Sequence, residues 1–113
     1  MSNAMITGPD LDYQNAPMPP HDMAAEQSVL GGMMLSADAI GEATEVVSGG
    51  DFYRPAHTAI YDAILGLYGK GDPTDPVAVA NELERRGELG RTGGGPYLHT
   101  LIATVPTSTN AAY

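Results

Sequence analysis

The sequence of 113 residues has room for one domain, and its 42% apolar content supplies a core of modest size. The absence of cysteine excludes a disulfide framework and thiolate chemistry, and suits a reducing compartment. Fourteen acidic residues against five basic ones give a net charge of -9, which repels phosphate backbones and makes a basic protein the easier partner. No run approaches the ~20 consecutive apolar residues that span a bilayer, and no secretion signal opens the chain. A soluble, cytoplasmic protein is expected.

Ser2-Asn3-Ala4 ahead of Met5 reads as a cloning scar. Residues 5–20 close on Pro17-Met18-Pro19-Pro20 and read, with the scar, as a disordered leader over 1–20; the folded unit is expected over 21–113. Asp22 can N-cap a first helix with Val29, Leu30, Met33 and Met34 on one face. Glu26, in its early turns, gains from the helix macrodipole. The mid-helix pair Gly31-Gly32 costs roughly 1 kcal/mol per glycine relative to alanine, which a close approach by another helix would explain. Ser36 can cap a second helix over 37–47, stopped by Ser48-Gly49-Gly50.

The segment from Asp51 to His57 gathers a carboxylate, a phenol, a guanidinium and an imidazole within seven residues. Read as a joint, Asp51 is a turn residue, Phe52 and Tyr53 close the end of the core, and Arg54 pairs with Asp51 or lies on the surface. Pro55 suits the first turn of a third helix, where its missing N–H costs nothing. In that helix Ala56, Ile60, Ala63, Ile64 and Leu67 form an apolar arc, widened by His57, Tyr61, Leu65 and Tyr68. Only Thr58, Ala59, Asp62, Gly66 and Gly69 remain for the other side, so this helix belongs in the middle of a bundle. His57 is expected as a partly buried ring bonded to backbone or a carboxylate.

Asp75-Pro76 starts a fourth helix, with Val79 and Leu83 inward, Glu82, Glu84, Arg85 and Arg86 outward, and Gly87 ending it. Gly93-Gly94-Gly95-Pro96 introduces a fifth, carrying Tyr97, Leu98, Leu101, Ile102 and Val105 as far as Pro106. Thr107 or Ser108 is placed to cap a sixth. Nothing alternates as a strand would, so the fold class is all-α, a small orthogonal bundle of five to six helices.

Familiar catalytic patterns are missing. The sole lysine, Lys70, is followed by Gly71, and Ile64 stands where a P-loop needs its first glycine. The Gly93-Gly95 run lacks the preceding strand of a dinucleotide loop. His21, His57 and His99 have no metal-ligand spacing. Glu26 with Asp51 or Asp62 could form an acid–base pair, but no sequence feature places them together. No catalytic, metal or cofactor residue is assigned.

The ordered succession Ala25-Glu26-Gln27-Ser28-Val29-Leu30-Gly31-Gly32, Asp51-Phe52-Tyr53-Arg54 with His57, Lys70-Gly71, Glu82-Leu83, Gly93-Gly94, Tyr97-Leu98 and Pro106 with Asn110 strongly resembles the N-terminal domain of the bacterial replicative DNA helicase, the DnaB family. The resemblance runs from about residue 19 to Tyr113. It implies a non-catalytic helical head whose parent continues into a helical hairpin and an ATPase motor that binds magnesium-ATP and single-stranded DNA. It also implies hexamers built as trimers of dimers, a collar that docks the C-terminal domain of primase, and a place at the replication fork. Tyr97, in the family's Gly-Gly-x-x-Tyr-Leu motif, falls on the part of the head implicated in primase contact. Ala24 stands where many members have glutamate, a departure at the same contact. Thr74-Asp75-Pro76-Val77-Ala78 departs from the family's Ile-Asp-Leu-Val-Thr while keeping a helix start.

Two other readings stand beside this interaction module. A free-standing enzyme would use His57, Asp51 and Tyr53. A stand-alone acidic adaptor would bind a basic protein with no helicase attached.

Overall fold

The computed structural model describes residues 22–106. The leader, His21 and the helix expected from Thr107 or Ser108 lie outside these residues. Among the described residues five α-helices form the fold: α1 (Met23–Leu35), α2 (Ala37–Val46), α3 (Pro55–Gly69), α4 (Pro76–Arg85) and α5 (Gly94–Ala103). Short 3-10 turns at Gly49–Asp51 and Gly90–Thr92 lead into α3 and α5, and no strand occurs among the described residues. The all-α class read from the sequence is the class observed.

Helix boundaries follow local chemistry. Asp22 accepts the Ala25 N–H at 3.0 Å and caps α1. Ser36 and Asp75 occupy the N-cap positions of α2 and α4, but neither side chain makes the capping bond. Pro55 and Pro76 sit in the first turns of α3 and α4. Both helices end the same way. Asp72 N–H returns to the Leu67 carbonyl at 2.9 Å, and Glu88 N–H to that of Leu83 at 2.8 Å. Each return passes through a left-handed glycine, Gly71 at φ 77° and Gly87 at φ 75°, where a side chain would be strained.

Helix α1 packs against α2, α3 and α5, while α4 joins α3 to α5. Leu30, Met33, Ile60, Ile64, Leu83, Leu98 and Leu101 are fully buried between them. The close approach expected at Gly31-Gly32 is made at Gly31 alone. A Cβ on Gly31 would land on the Leu101 carbonyl oxygen, 2.7 Å from its carbon, whereas one on Gly32 meets nothing within 4 Å. Ser28 Oγ adds a hydrogen bond to the Thr104 carbonyl at 3.2 Å, so a side-chain bond reinforces the close approach of α1 to α5.

Some helical side chains depart from the sequence reading. Ala59, expected outside, is buried because it lies one turn from Ala63 on the same strip of α3. Tyr68, expected inside, is 46% exposed at the end of α3. Glu82, expected outward, is buried, one turn from Val79 on α4. Its carboxylate turns back to Arg85 at 2.6 Å and Arg86 at 2.7 Å, and two guanidinium partners make its burial tolerable. Those bonds, Arg85's first, hold the Glu82 carboxyl at about 2.

Candidate functional site

Glu26, Gln27, Arg54, His57 and Tyr97, among the residues singled out in the sequence, converge where α1, the entry to α3 and the first turn of α5 meet. The joint before α3 is set by Asp51, whose Oδ2 accepts from Ser48 N–H at 2.8 Å and Ser48 Oγ at 3.3 Å. Phe52 then turns inward, edge-on to His57 with centroids 6.3 Å apart and 5.1 Å from the Tyr61 ring. Tyr61 donates to the Val47 carbonyl at 2.7 Å, and burial, then the Asp62 and Asp51 charges, pushes its phenol upward. Tyr53 does not close the core as expected. Its ring is 56% exposed, and its contribution to the joint is its backbone N–H, donated to Glu26 Oε2 at 2.7 Å.

Glu26 and His57 are 1% and 0% exposed, with Glu26 Oε1 and His57 Nδ1 2.7 Å apart. Both Glu26 oxygens are therefore engaged inside the protein. Macrodipole stabilisation is the lesser reason for this glutamate, because it accepts the two bonds that tie α1 to α3. His57 is more deeply buried than expected, with the carboxylate partner anticipated for it. Its Nε2 lies 2.6 Å from Tyr97 Oη on α5.

Tyr97 Oη also receives Gln27 Nε2 at 3.2 Å and Arg54 Nη1 at 3.3 Å. Those two groups can only donate, and a phenol has one proton and two acceptor sites. Tyr97 therefore gives its proton to His57 Nε2, and His57 gives its Nδ1 proton to Glu26. Every polar atom of the row has a defined role. Arg54 caps the assembly with its guanidinium 5.5 Å from the Tyr97 ring centroid, so it pairs with a tyrosine rather than with Asp51. A Cβ on Gly93 would fall 2.7 Å from Tyr97 Cβ, which explains a glycine at that point. Gly94, at φ 75°, opens α5, and Ala24 is exposed on α1 one turn before Gln27.

A carboxylate–imidazole–phenol row has the parts of a proton relay. Its two inner members are closed to solvent and the outer oxygen has no bonding capacity left, so the row presents no reactive atom to a substrate. Asp51 and His57 are committed to separate partners: Asp51 serves the Ser48 turn and His57 pairs with Glu26. Among the described residues no three of His, Cys, Asp and Glu are grouped to hold a metal ion, and His99 is exposed on α5.

Tyr97 is neither fully buried nor an isolated surface ring. Half-buried, it carries the bonds among α1, the α3 entry and α5 and shows its outer edge with Gln27 and Arg54. The Gln27 and Arg54 contacts were not legible in the sequence, since 70 and 43 residues separate the partners.

A family model described as DnaB-like helicase N terminal domain matches residues 18–113. The replicative DNA helicase DnaB of Mycobacterium leprae is 67% identical over 95 residues, covering 84% of this chain and 16% of that protein. That of Leifsonia xyli is 59% identical over 95 residues, covering 84% of this chain and 21% of the relative. The chain thus spans about a sixth to a fifth of the length of these curated relatives. The crystal structure of the N-terminal domain of DnaB helicase from Mycobacterium tuberculosis superimposes with a TM-score of 0.76 at 67% identity, covering 85% of this chain and 67% of that one. The five-helix fold of the described residues and these matches agree: the chain belongs to the DnaB-like helicase N-terminal domain family.

Proposed function

We propose that this chain is the non-catalytic head of a replicative DNA helicase, docking the C-terminal domain of primase and supporting the collar of a hexamer. The observation that carries the reading is the 67% identity to a replicative helicase of which the chain covers 16%. The sequence itself holds no P-loop. ATP hydrolysis, magnesium-ATP binding, duplex unwinding and the grip on single-stranded DNA then belong to a C-terminal motor of the parent protein, and the -9 charge of the head suits a part that leaves DNA to that motor. The parent works in the cytoplasm at the replication fork. In keeping with that, no helix among the described residues is long and apolar enough to cross a membrane.

The docking face in this reading is the outer side of α1 and the start of α5, where Ala24, Gln27 and Tyr97 lie. A single head binds primase weakly, and a hexamer gains by offering several heads at once. Titrating the cognate primase C-terminal domain against this chain and against the full-length protein tests the reading. Expected are weak binding to the chain, tighter binding to the hexamer, and ATPase activity in the full-length protein only. Absence of binding to both would remove the primase role, and a native stop codon directly after Tyr113 would remove the helicase parent.

A further inference from the structure

The described basic residues are Arg54, Lys70, Arg85, Arg86 and Arg91. Lys70 lies 3.9 Å from Asp72, Arg85 and Arg86 share Glu82, and Arg91 lies 2.9 Å from Glu88. Arg54 alone has no carboxylate partner among the described residues. In a chain of net charge -9 this is a conspicuous exception. The nearby carboxylates are committed elsewhere: Glu26 to His57 and Tyr53 N–H, and Asp51 to Ser48.

Arg54 is also held in place. Its guanidinium lies over the Tyr97 ring with Nη1 on the Tyr97 oxygen, and the tyrosine is itself fixed through His57 by Glu26. Much of the entropy that an exposed arginine would lose on binding is already spent. A guanidinium carries several N–H donors, and only one of Arg54's is used here. Tyr97 Oη has no capacity left for a partner, so the charged donor on this side of the row is Arg54.

We propose that Arg54 is the anion-reading residue of the docking face, receiving one aspartate or glutamate side chain of the partner protein in a fork-to-carboxylate pair; this rests on the primase-docking reading. A single carboxylate fits better than nucleic acid, because the acidic head repels a polyanion while leaving one oriented guanidinium free for a point contact. Glu26 and His57 are positioning residues for it. They hold the tyrosine that holds the arginine.

The test is titration of the primase C-terminal domain into this 113-residue chain and its Arg54→Glu, Arg54→Lys and Lys70→Glu variants, with thermal melts to confirm folding. Expected is about ten- to hundredfold weaker binding for R54E, an intermediate loss for R54K, and no change for K70E, which makes the same change of charge elsewhere. The salt dependence of binding should flatten in R54E. One acidic-to-arginine exchange on the primase domain should restore binding to R54E in a double-mutant cycle. Should R54E not fold, the intermediate loss in R54K carries the decision.

If R54E binds as tightly as the unchanged chain while Tyr97→Ala loses binding, the carboxylate contact is refuted and primase docking survives. Equal losses in R54E and K70E would mean a net-charge effect and also refute it. If the unchanged chain and the full-length protein both fail to bind, docking and contact fall together. An Arg54-dependent affinity for a single-stranded oligonucleotide would overturn the choice of a carboxylate.

Discussion

Oε1 of Glu26 on α1 lies 2.7 Å from Nδ1 of His57 on α3, and the pair is sealed from water. Its partners are all internal, so removing one member leaves the other buried without compensation. Glu26→Ala should destabilise the fold by about 3–5 kcal/mol. Glu26→Gln keeps one acceptor oxygen and should cost less, about 1–3 kcal/mol. Urea unfolding at constant slope checks both. An unchanged midpoint for the alanine variant would show that the pair does not hold α1 to α3.

Tyr97→Phe keeps the ring and removes only the oxygen on which three groups meet. His57 Nε2 then has no donor, and a loss of about 1–3 kcal/mol is expected. The same melts measure it. A variant as stable as the unchanged chain would mean that solvent replaces the phenol, contrary to the enclosure of His57.

Neighbouring glycines on α1 should respond oppositely to alanine. At Gly31 the added methyl meets the Leu101 backbone and Val105 Cγ2 at 3.0 Å, neither of which yields without moving α5, so about 1–3 kcal/mol or more should be lost. At Gly32 there is open space, and alanine should stabilise the helix interior by roughly 0.5–1 kcal/mol. Thermal midpoints that move the same way in both variants would contradict the packing of α1 on α5.

Glu82 gives the fold an acid-sensitive element. Its carboxyl is lowered from 4.5 to about 2 by Arg85 and Arg86. The stabilisation is therefore complete above pH 4.5 and fades as the pH falls toward about 2. Glu82→Gln should be less stable than the unchanged chain near neutrality, with the difference narrowing through that window. Melting temperature against pH measures it, and a difference independent of pH there would argue against the ion pairs.

The sequence was legible wherever a local device sets the structure. Asp22 before α1, Pro55 and Pro76 in first turns, and Gly71 and Gly87 after helices each act within a few residues, and each does what its chemistry predicts. Gly31 was readable as a close approach because a mid-helix glycine requires a reason. Glu82 was misread because charge was taken to mean outward, although its position beside Val79 on α4 places it toward the core. Tyr53 was misread for the converse reason, that an aromatic ring was taken to mean inward. Of the Glu26–His57–Tyr97 row only a backbone or carboxylate partner for His57 was legible, and not which residues it joins, since its links cross 31 and 40 residues and depend on how three helices meet.

The most direct test of the docking head is amide-resolved NMR of the 113-residue chain during titration with the cognate primase C-terminal domain. Expected are shifts concentrated at Ala24, Gln27, Arg54 and the start of α5 around Tyr97, with little change along α4. Unmoved spectra at saturating primase domain, or shifts centred on α4 with the Tyr97 face silent, would contradict it.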